Sequence, residues 1–105
     1  MAKTKATIQM DFNKANKQAE ELSEIANALD NLAQKDMLNC FNSIGNNWKG
    51  ENADAYIKKG NIVKGNIEKV AKDLKKAAET IRKIAKNTKD AEMAALEIAN
   101  NRTSY

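Results

Sequence analysis

The sequence predicts an all-α protein, an antiparallel helical hairpin that pairs into a four-helix bundle. Three observations carry this. Apolar residues recur every three or four positions through most of the 105 residues, proline is absent, and the one break in the pattern holds the only tryptophan, Trp48, between Gly45 and Gly50. An apolar fraction of 42% with only 5% aromatics leaves mainly Ala, Leu, Ile and Val, a composition that suits helices better than a β-sandwich. A chain of this length is one domain, residues 1–105, with a limited core.

Helix 1 is expected over about residues 13–44. Ala15, Ala19, Leu22, Ile25, Ala26, Leu29, Leu32, Ala33, Met37, Cys40, Phe41 and Ile44 mark one helical face, with Lys14, Lys17, Glu20, Glu24, Asn31 and Lys35 opposite. Asp11 or Asn13 is the expected N-cap. Upstream, Ile8, Met10 and Phe12 alternate, which predicts an extended lead-in. Gly45 stands where a left-handed C-terminal cap is expected. The turn covers residues 45–51.

Helix 2 is expected over about residues 53–98, with Asn52 as N-cap and Asp54 in the first turn. Tyr56, Gly60, Val63, Ile67, Val70, Leu74, Ala77, Ile81, Ile84, Thr88, Ala91, Ala95 and Ile98 alternate spacings of four and three, the seam of a left-handed coiled coil. Gly60 on that seam would admit a neighbouring backbone or a large side chain. At about 1.5 Å per residue the helices span roughly 48 and 70 Å, so residues 90–105 should overhang.

Beside its seam, helix 2 carries Ile57, Ala71, Ala78, Ala85 and Leu96, and helix 1 has two adjoining apolar strips. A stripe wider than one partner helix covers calls for a second hairpin, so a homodimer or heterodimer is expected. The expected core and partner interface comprises Leu22, Ile25, Leu29, Leu32, Ile67, Val70, Leu74, Ile81 and Ile84.

The net charge of +4 is uneven: residues 1–50 balance, whereas Lys58 to Lys89 holds eleven Lys or Arg against three acids. Lys69, Lys72, Lys76, Lys83 and Lys86 share one strip. A solvated face is the expected reading, with no nucleic acid. The alternative is a cytosolic helical protein that binds nucleic acid or an acidic partner through Lys58–Lys89.

Histidine is absent, which removes the commonest general base and metal ligand. No phosphate loop, nucleophile–base pair or carboxylate set at metal spacing stands out, so no enzymatic activity, cofactor or metal is expected. Cys40 is alone and is expected as a buried, inert thiol, with a redox or intermolecular role as the alternative. No apolar run reaches the roughly 20 residues of a membrane span, and "MAKTKATIQMDF" lacks the apolar core of a Sec signal. The chain is expected to stay in the cytosol or to leave by a route without a cleaved signal.

With "WKG" (Trp48–Gly50) between two helices, Ala53 and Tyr56 beyond it, and a length near one hundred residues, the chain resembles the WXG family of small helical hairpins exported by type VII (ESX) secretion systems. The resemblance covers about Ile8 to Ile98. It implies a substrate, or a co-exported chaperone-like partner of a larger effector, in a Gram-positive bacterium. The final location would be outside the cell or on its surface. The partner would be a related hairpin or the N-terminal helical domain of a toxin. The resemblance further implies that Trp48 and Gly50 form a turn which, with the partner's C-terminal helix end, is read by the secretion ATPase. Beside that role, Trp48 is expected to plug the hairpin end against Phe41, Ile44 and Tyr56. The family's C-terminal signal, Tyr-x-x-x-Asp/Glu, has no counterpart here. Tyr56 meets Gly60, Phe12 meets Asn16, Phe41 meets Gly45, and Tyr105 is the last residue. That departure implies export beside a partner that carries the signal.

Overall fold

A computed structural model describes residues 3–103. Helix α1 spans Lys5–Asn31, a π-helical turn follows over Leu32–Met37, α2 spans Leu38–Asn47 and α3 spans Glu51–Thr103. The class is all-α, with no strand among the described residues. The chain divides into two compact units: Met1–Leu22 with Lys76–Tyr105, and Ser23–Lys75.

The N-terminal lead-in is helical, not extended. Ile8, Phe12, Ala15 and Ala19 continue the helical spacing backwards, so Ile8 is buried while Met10, between them, stands exposed. Asp11 and Asn13 therefore lie inside α1 and cap nothing. The first turn closes on Thr4, whose carbonyl accepts the Ile8 N–H at 3.0 Å and whose Oγ1 accepts the Thr7 N–H at 3.1 Å.

In the first unit the two stretches run antiparallel. Arg82 Nη2 meets Glu20 Oε2 at 3.1 Å, Lys89 Nζ lies 4.4 Å over the Phe12 ring, and Lys3 Nζ reaches Glu92 Oε2 at 3.1 Å. Because α1 starts at Lys5, the expected overhang shortens: Glu92, Met93 and Leu96 are half-buried. Ile8, Ala19 and Ala78 form the buried centre.

The second unit is antiparallel as well. Lys75 Nζ meets Asp30 Oδ2 at 3.0 Å, Gln34 Nε2 donates to Glu68 Oε2 at 2.8 Å, and the Phe41 ring lies on Gly60. Ala26, Ala33, Phe41, Ala53 and Ala71 are its buried centre.

The seam of α3 lies one column away from the expected one. Gly60, Ile67, Leu74 and Ile81 are half-buried as expected, but the companion column is Ile57, Lys64, Ala71, Ala78 and Ala85. Tyr56, Val63, Val70, Ala77, Ile84, Ala91 and Ile98 are all exposed. The cause is size. Alanine lets two helix backbones approach closely, gaining dispersion contacts along the whole backbone, whereas a β-branched residue at the contact would hold them apart.

The π-turn explains a second difference. Ala26 and Ala33 are seven apart, and the next seam position in an unbroken α-helix would be Cys40. Instead Phe41 is buried and Cys40 is exposed. One extra residue enters the helix between Ala33 and Phe41, and the wider π-turn over Leu32–Met37 takes it up. The expectation of a buried thiol fails for this reason.

The helix break also differs in detail. Gly45 is inside α2, which closes with the Trp48 N–H on the Ile44 carbonyl at 2.8 Å. Gly50, with φ +121°, takes the conformation that L side chains rarely adopt, and its carbonyl accepts the Asp54 N–H at 3.1 Å. Gly50 thus caps α3 in place of Asn52.

Gly60 and Gly65 should respond oppositely to alanine. Both sit inside α3, where alanine is favoured by about 1 kcal/mol. At position 65 a Cβ meets nothing within 4 Å, so Gly65→Ala should raise stability by about that amount. At position 60 the Cβ would lie 2.6 Å from Phe41 Cζ, so the buried ring must shift. Gly60→Ala should instead cost about 1–3 kcal/mol. Urea unfolding of both variants reads the difference; equal signs would mean that Phe41 does not pack on Gly60.

Candidate interaction surface

The link between α2 and α3 is three residues, and Trp48 begins it in an extended conformation (φ −135°, ψ 119°). Extended backbone turns the indole away from the column that buries Phe41, and Trp48 is 48% exposed. Its ring centroid lies 6.4 Å from that of Tyr56, tilted by 56°. The expected end plug is therefore divided. Trp48 and Tyr56 pair on the outside, Phe41 packs one turn deeper on Gly60, and Ile44 is half-buried, supplying the carbonyl that Trp48 caps.

The second unit has two unlike edges. Asp30 and Lys75 stand on the same angular side of their helices relative to Ala33 and Ala71, and they meet across one edge. Gln34, Glu68 and Lys64 join them there, with Lys64 Nζ 2.9 Å from Glu68 Oε1. In an antiparallel pair, residues on the other angular side share the opposite edge. These are Ile25 and Leu32, which precede Ala26 and Ala33, together with Val63 and Val70. All four are exposed, so this edge is apolar and uncovered.

Of the nine expected interface residues, Leu22, Leu29, Ile67, Leu74 and Ile81 are half-buried, whereas Ile25, Leu32, Val70 and Ile84 are exposed. The first group flanks the alanine seams and the second is exposed. By hydrophobic spacing alone Val63 belongs to the seam, whereas in the structure it is exposed. The sign that it faces outward was the parallel column of alanines at positions 71, 78 and 85.

Electrostatics at the polar edge favours the charged states. The Lys64 ammonium, and then the Gln34 amide, hydrogen-bond Glu68 and hold its carboxyl below the usual value near 4.5. Folding thus favours the ionised form, and the resulting stability is present above pH 4.5 and lost as pH falls through the lowered pKa. Glu68→Gln should flatten the acid side of a stability–pH curve slightly; an unchanged slope would remove Glu68 from the account. Lys3, held by Asp11 and then Glu92, has its pKa raised, so its contribution fades only above pH 10.5.

In the first unit an apolar notch of about 250 Å³ lies between Ile8, Phe12, Ile81 and Ile84, rimmed by Lys89 and Glu92. It is smaller than the roughly 300–1,000 Å³ of a typical small-molecule pocket and fits a side chain. Lys69, Lys72, Lys76, Lys83 and Lys86 are exposed, while Lys75 and Arg82 are engaged by Asp30 and Glu20. Among the described residues no three His, Cys, Asp or Glu side chains could hold a metal ion. No described helix is long and apolar enough to cross a membrane. No protein-family model, curated protein or solved structure matches this chain.

Proposed function

We propose that this chain acts by helix–helix association as a type VII secretion substrate, or as the co-exported partner of a larger effector, without chemistry of its own. The observation that carries the reading is Trp48, set on an extended link between two helices, half exposed and beside Tyr56. A large apolar side chain held in that place contributes less to the core than to whatever docks there. The uncovered edge of Ile25, Leu32, Val63 and Val70 in the second unit supports a partner hairpin that completes a four-helix bundle. That partner would carry the Tyr-x-x-x-acid signal. Tyr105 lies outside the described residues, and the aromatics within them have no acid four positions on. The secretion ATPase would read the partner's helix end together with Trp48 and Gly50, and the complex would leave a Gram-positive cell through that system.

Trp48→Ala should cost about 1–3 kcal/mol of stability, since half of the indole is already in water, and should reduce export far more. The measurement is secreted against cellular protein in cells that carry the secretion system and the neighbouring helical genes. Export at the wild-type level would sink the proposal. A parallel strain without those neighbours tests the partner: undiminished appearance in the medium would place a complete signal in this chain.

A further inference from the structure

In the first unit, α3 carries a column of Ala77, Ile84, Ala91 and Ile98, seven residues apart and all exposed. Each is preceded by a charge: Lys76, Lys83, Asp90 and Glu97. These four are exposed, and none makes an ion pair within the described residues. Both series turn into their complement when read backwards. The charges run plus, plus, minus, minus, and the apolar residues run small, large, small, large.

From this pattern we infer that the face is a self-association surface whose occupant is a second copy of the same stretch, running antiparallel about a two-fold axis between residues 84 and 91. In that register Ile84 of each copy lies opposite Ala91 of the other, and Ala77 opposite Ile98, so each large side chain meets a small one. On an antiparallel pair, equivalent flanks face each other. Lys83 of each copy therefore meets Asp90 of the other, and Lys76 meets Glu97, giving four interchain ion pairs along one edge of the apolar strip. A parallel copy in register would set Ile84 on Ile84 and Ala91 on Ala91, and would carry the charges of the two copies to opposite edges, where they do not meet. A symmetric interface must be complementary to itself, and this stretch is so in one orientation only. The inference rests on residues 76–98 and does not depend on export or on the uncovered edge of the second unit.

The test uses the full chain and charge reversal at exposed positions, with circular dichroism to establish that every variant keeps its helix content. Sedimentation equilibrium of the wild type should show a monomer–dimer equilibrium that weakens at high salt. Lys83→Glu or Asp90→Lys alone turns two attractive pairs into repulsive ones, and each should raise the dimer Kd about tenfold or more. The double variant, Lys83→Glu with Asp90→Lys, restores opposite charges across the axis and should return Kd to within about threefold of wild type. A monomeric wild type, single reversals without effect, or a double variant no better than the singles would each overturn the inference.

Discussion

Phe41→Ala should cost about 3–5 kcal/mol, the largest loss expected from a single truncation in this chain. Among the described residues Phe41 is the one buried aromatic, and most of its buried company is alanine. Its ring covers Gly60, whose missing side chain provides the space, so truncation leaves a void that neither helix can close without moving its backbone. On a stability of about 5–15 kcal/mol this would lower Tm by well over 10 °C. The neighbouring Cys40→Ala, at an exposed position, should change little. Thermal melts of the two variants measure the phase of α2. If Cys40→Ala proves the more damaging, the extra residue in the π-turn is misplaced.

Ala71→Leu should cost about 2–3 kcal/mol through overpacking rather than loss. Ala71 is fully buried, and in the register fixed by Asp30–Lys75 and Gln34–Glu68 it faces Ala33, so added carbons can be admitted only by separating the helices. Val70→Leu, one residue earlier and exposed, adds bulk to open surface and should be near neutral. Denaturant midpoints of the pair test the alanine seam. A tolerated leucine at position 71 with a costly one at position 70 would restore the seam that hydrophobicity alone suggests.

Periodicity gave the helices, the break at Trp48 and the antiparallel pairing, because each follows from the three–four spacing and from a short connection. The phase of the seam was harder to read. Ranking residues by hydrophobicity favours Val63, Val70 and Ile84, but the contact between backbones is decided by the smallest residues, at positions 71, 78 and 85. The extra residue before Phe41 was legible in the spacing of Ala33, Met37, Phe41 and Ile44, four, four and three, yet an unbroken helix was the simpler assumption. At the N-terminus, Ile8, Met10 and Phe12 fit a strand by alternation, while Ile8, Phe12, Ala15 and Ala19 fit a helix over a longer run. The longer run prevailed. At the candidate surface Trp48 lies beside Tyr56, whereas Phe41 lies on Gly60, because the chain is extended at Trp48 and carries the indole off the helical column.

The position of Trp48 also gives the molecule a built-in optical probe. It is the only indole in the chain, half in water, with the Tyr56 phenol close enough to pass excitation to it. Its emission should therefore lie toward the red and be quenched readily by iodide. A partner that covers the turn would shift that emission to the blue and shield it. One label-free titration therefore reads contact at this turn directly.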